Sequence, residues 1–138
     1  MSRLQAAAIL VSLAGVAISI YLTVLHYAGV VPGCPVTGPI NCEVVLSSPY
    51  SVIGGTGVPT SAAGIAWFVV SALLWTRPVG WGHLVWSAIG LLTVLYLVFI
   101  EIVRLGTICL WCSAAHVLVV AVVLIALTSW SGRDTVRA

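Results

Sequence analysis

Charge is almost missing from this sequence. Only 6% of its 138 residues are charged, lysine does not occur, and there are three acidic residues, Glu43, Glu101 and Asp134. A soluble domain of this size needs a polar shell that this chain cannot supply. The five arginines are scattered and form no basic patch, so nothing supports nucleic-acid binding. There is no internal repeat, and no segment with the length and polarity of a soluble domain. What is abundant is hydrocarbon. Hydrophobic residues make up 62% of the chain, which puts it in the integral membrane class.

The apolar residues divide into four predicted spans, at about 4–27, 59–76, 84–103 and 107–130. Each is long enough to cross a hydrocarbon core of about 30 Å at about 1.5 Å per residue. The first is longer than a signal-peptide core of about 7–15 residues, and no A-x-A site follows it, so it reads as a retained span. The expected fold is an all-α four-transmembrane-helix bundle, a single membrane domain over 1–138. A long loop at about 28–58 carries a short surface helix around "EVVLSS".

Arg3, Arg77, Arg133 and Arg137 fall on one side of this arrangement and only Arg104 on the other. The positive-inside rule then puts both termini in the cytoplasm and the long loop outside the cytoplasmic (inner) membrane. Cys34, Cys42, Cys109 and Cys112 all lie at the outer face, in a compartment where disulfides form and persist.

Cys34 and Cys42 flank "PVTGPIN", whose prolines and glycine let the segment fold back and bring the sulfurs within disulfide reach. Cys109 and Cys112 form a Cys-x-x-Cys in "TICLWCSAAH", near the first turn of the last span. There the free backbone N–H groups and the helix dipole favour a thiolate, the reactive form. His116 continues the same stripe one turn deeper, placed to hydrogen-bond a bound oxygen atom.

Blander readings exist for each feature. A buried cysteine can be a small apolar filler, and a histidine can tie two helices. Four cysteines could hold zinc, but a spacing of eight is wide for half a site, and no acidic or histidine cluster supports it, so no metal is expected. The small residues of "PTSAAG" suit close helix packing or a ligand wall. Glu101 and Arg104 read as an i,i+3 ion pair near the interface, with partner docking as the alternative. A small four-helix transporter would need an ionisable group inside the bundle, and the first three spans offer no central carboxylate. An inert membrane scaffold is the remaining reading of another class.

The Cys-x7-Cys loop pair, the Ser-Ser that follows it, the "GVP" leading into the second span and the Cys-x-x-Cys on the last span together resemble the vitamin K epoxide reductase family. The resemblance runs from about residue 4 to 130. It implies a membrane thiol–quinone oxidoreductase that supports disulfide formation in exported proteins, with vitamin K epoxide or quinone reduction proper as the alternative. The electron acceptor would be a quinone of menaquinone, ubiquinone or vitamin K type. Cys109 and Cys112 would be the redox pair, with Cys112 facing the quinone. Cys34 and Cys42 would be the shuttle pair, with a transient Cys42–Cys109 bond and Cys34 meeting the partner. Ser47 or Ser48 matches a family serine.

Two positions depart from the animal enzymes. Thr60, or Ser61, stands where those have an asparagine, and His116 where they have a tyrosine; both changes bear on epoxide activity more than on quinone activity. Many bacterial members carry a fused thioredoxin-like domain. This chain stops at Ala138 without one, so a separate thioredoxin-like thiol oxidoreductase is the expected partner, beside membrane lipid and quinone.

Overall fold

The computed structural model describes residues 1–137, with side chains through Gly132. The described residues are helical, with isolated bridges and no strand. The helices are α1 (Arg3–Ala28), α2 (Cys42–Leu46), α3 (Thr60–Leu74), α4 (Trp81–Phe99) and α5 (Leu110–Arg137). A single 3-10 turn, Pro49–Ser51, follows α2, and α4 runs on into a π-helical turn at Ile100–Leu105.

Local chemistry sets the ends. Ser2 and Gln5 form a reciprocal capping box that starts α1. Gly29, at φ 65°, stops it in the left-handed conformation that glycine adopts without a Cβ penalty. At the start of α4 the Gly80 N–H donates to Nδ1 of His83 at 3.1 Å.

Among the described residues, three segments are long and apolar enough to cross a membrane: Arg3–Ala28, Trp81–Leu105 and Leu110–Gly132. α3 has 15 residues, roughly 22 Å of helix, against the 59–76 expected from sequence. α1 packs on α3 and α5, α4 packs on α5, and α3 meets α4.

The bundle is inverted relative to a water-soluble one. Ser12, Ser19, Ser71 and Ser87 are buried, while Leu10, Leu13, Leu92, Leu95 and Leu124 are exposed. Lipid solvates leucine as well as a protein core does, so close approach of small residues holds such helices together. Gly15 lies under the ring of Phe68 and Gly90 under that of Trp67; a Cβ at either position would overlap the ring.

Three buried layers follow the bundle axis. Ala8, Trp75 and Ala126 fill one end. Phe68, Val94, Val119 and Val123 fill the middle. Cys42, Val45 and Cys109 fill the other end, with Cys34 and Cys112 packed against them.

Candidate functional site

The cysteine end is assembled by backbone pairing between parts of the chain far apart in sequence. The turn Thr37–Ile40 lies alongside the segment before α5. The Ile108 N–H donates to the Pro39 carbonyl at 2.7 Å, and the Asn41 N–H to the Ile108 carbonyl at 3.1 Å. Trp111 Nε1 adds a bond to the Gly33 carbonyl at 3.2 Å, and its ring rests on Tyr21. Asn41 then caps α2 through the Val44 N–H. This pairing sets Cys42 against Cys109 in one buried cluster.

Cys34 and Cys42 are joined as a disulfide with Cα atoms 6.0 Å apart, and Cys109 and Cys112 carry free thiols. Of the two expected pair disulfides, the loop one is therefore formed here. Cys42 is 1% exposed, whereas Cys34 is only partly buried.

Helix α5 begins at Leu110, three residues later than the sequence reading had it, so Cys109 occupies the N-cap. Its carbonyl accepts the Ser113 N–H at 2.8 Å, and its Sγ accepts the Cys112 N–H at 3.2 Å. A cap atom that receives an otherwise orphan helix N–H gains most by being anionic. One residue ahead of the spanning segment, the Cys109 thiol is held below its ordinary value. The hydrogen bond from the Cys112 thiol is the main cause, burial works against it, and the Cys112 N–H adds a smaller lowering. The helix-end help expected for both thiols falls chiefly on Cys109.

Cys112 turns the other way and lines a cavity of about 640 Å³ inside the bundle. His116, Thr60, Ser61, Ser47 and Ser48 line it too, so the residues singled out in the sequence share one space. They are not equivalent. Ser47 donates its hydroxyl to the Glu43 carbonyl, Ser48 to the Val45 carbonyl and Thr60 to the Tyr50 carbonyl. Ser61 lies 2.8 Å from Thr23 Oγ1, whose own proton goes to the Ser19 carbonyl, so Ser61 is the donor of that pair. With every hydroxyl proton engaged, His116 is the member of the set whose ring makes no hydrogen bond to another described residue. An imidazole N–H is therefore free to point at a ligand oxygen.

Sequence reasoning missed three parts of this cavity. His26 on α1 lines it. So do Trp67 and Trp86, which stack with centroids 6.1 Å apart, exchange indole-to-carbonyl bonds and wall off the apolar depth. The third is Glu101. In place of the expected pairing with Arg104, which is exposed, its carboxylate is 6% exposed and accepts the Cys109 N–H at 3.1 Å. The available signal was that Glu101 is the single carboxylate within the three segments Arg3–Ala28, Trp81–Leu105 and Leu110–Gly132, and such groups are rarely idle.

Residues 6–127 match the family model described as the vitamin K epoxide reductase family. The chain belongs to the vitamin K epoxide reductase family. Membership makes it a membrane protein and an oxidoreductase of thiol–quinone type, since vitamin K epoxide reductase family proteins use quinones as electron partners. Comparison with curated proteins gives no match.

Proposed function

We propose that this family member passes electrons from a thioredoxin-like partner, through the loop pair and then the Cys-x-x-Cys pair, to a membrane quinone, and so drives disulfide formation in exported proteins. One observation carries the reading: all four cysteines share a single buried cluster, and of the four only Cys112 also lines the cavity. Thiols and a lipid-soluble acceptor meet at that residue.

The partly exposed Cys34 suits attack by the partner's dithiol on the Cys34–Cys42 disulfide. Cys42, released as a thiolate, is packed beside Cys109 for the second exchange. Cys109 at the helix N-cap is the better thiolate of its pair and suits the side facing the loop. Cys112 suits the side facing the quinone. An apolar cavity with few polar groups matches a quinone ring and its hydrocarbon tail, and His116 orients a ring oxygen or delivers a proton to it.

In the same reading α3 is a fourth, short span that the bilayer meets by thinning locally. Both termini face the cytoplasm, and the cysteine end faces outward. Aromatic rings at both ends support a transverse placement: Trp81 with Trp130 at one, Tyr27 and Trp111 at the other.

The test is turnover of a soluble quinone analogue with a dithiol reductant, in purified protein and in Cys112→Ala. Loss in the variant, with the Cys34–Cys42 disulfide still formed, is the expected result. Equal turnover in both would remove Cys112 from the redox centre and with it this reading.

A further inference from the structure

Glu101 has no part in the electron path from Cys34 to the quinone, yet its position calls for one. It is buried, it sits in the π-helical turn of α4, and it lines the cavity together with Cys112 and His116. The Cys109 N–H needs an acceptor, but a neutral amide or a backbone carbonyl would serve at a smaller desolvation cost than a carboxyl group. An ionisable acceptor explains more than a clasp does, because it can also hold a proton between the dithiol and the cavity.

We infer that Glu101 is the proton carrier between the Cys109–Cys112 dithiol and the quinone. This rests on the reading of the cavity as a quinone site. In the step, the two S–H bonds are lost, an S–S bond forms between Cys109 and Cys112, and two electrons and two protons pass to a quinone to give the hydroquinone. Glu101 takes the Cys112 proton and hands it to the nearer ring oxygen, ending in the state in which it began. The second proton travels by way of His116.

The other titratable groups around the cavity are Cys112 and His116 on α5, His26 on α1 and Tyr50 in the loop, with Cys109 on the carboxylate itself. Arg104, on the same turn as Glu101, is exposed.

Glu101→Gln keeps an acceptor for the Cys109 N–H and removes the proton. Quinone turnover should fall about 100-fold, in line with general acid–base catalysis, while thiol exchange between the loop pair and Cys109 is unchanged. A second readout needs no quinone: the reduction potential of the Cys109–Cys112 pair, measured against a thiol buffer across pH. The wild type should show an inflection from Glu101 that Glu101→Gln lacks and Glu101→Asp, which retains the acid, keeps.

Turnover in Glu101→Gln within about threefold of wild type would overturn the inference. So would an equal loss of turnover and loop exchange, the mark of a clasp alone. If the wild type reduces no quinone, the reading of the cavity fails, and the potential measurement still decides whether Glu101 takes the thiol proton.

Discussion

Leaving the thiols aside, each end of the bundle buries one titratable side chain, and the two are treated differently. At the Trp75 end His83 is 3% exposed, its Nδ1 accepts the Gly80 N–H, its Nε2 meets the Leu74 carbonyl at 3.1 Å, and its ring stands edge-on to Trp75. Both nitrogens are engaged, and the bonds join the end of α3 to the start of α4. At the cysteine end Glu101 has one tie, to Cys109, and otherwise borders a cavity shared with His116. A polar group inside an apolar bundle acts as a structural joint when the protein meets its hydrogen-bonding capacity. It is available for chemistry when some capacity is left facing open space.

That contrast can be attacked directly. The largest effect is expected at Cys112, where replacement by alanine should take quinone turnover to background in a stopped assay while leaving the loop disulfide in place. His116→Phe keeps the volume and removes the free N–H, so turnover should drop about 100-fold with little change in melting temperature. A melting temperature that falls as turnover does would move His116 to the joint class.

At the other end, His83→Leu should lower stability by about 1–3 kcal/mol, read by thermal unfolding in detergent, because the Gly80 N–H loses its partner and the Leu74 carbonyl keeps only the Arg77 N–H. Turnover per folded molecule should not change. The smallest effect is expected from Ser47→Ala. Its hydroxyl is already bonded to the Glu43 carbonyl, so steady-state turnover should stay within about twofold of wild type. A larger loss there would show that an engaged hydroxyl can still serve the cavity, and the contrast would fail.

Much of the fold was legible. Hydropathy located the helices, though α5 runs to Arg137 where the expected span ended at about 130, because burial in lipid is a property of each residue in turn. The errors were at ends. α5 starts at Leu110 because the 106–109 segment pairs with the loop, and α3 is shorter than its apolar run. Among the cavity residues, Cys112 and His116 could be singled out because they are reactive or polar groups at a helical spacing in an apolar run, and Thr60 by the family resemblance. His26 and Trp67 could not, because only the packing of α1, α3 and α4 brings them to one space.

The sequence by itself determined the membrane class and the positions of the long helices, and it singled out the thiols as candidate reacting groups, since composition and spacing are local and survive any arrangement of the chain. Tertiary structure decided which thiol caps α5, which hydroxyls already have partners, and that Glu101 turns inward to Cys109 and not outward to Arg104. Those outcomes depend on how each helix is rotated and which distant carbonyl or N–H it meets. Residue spacing along one helix carries no information about its neighbours.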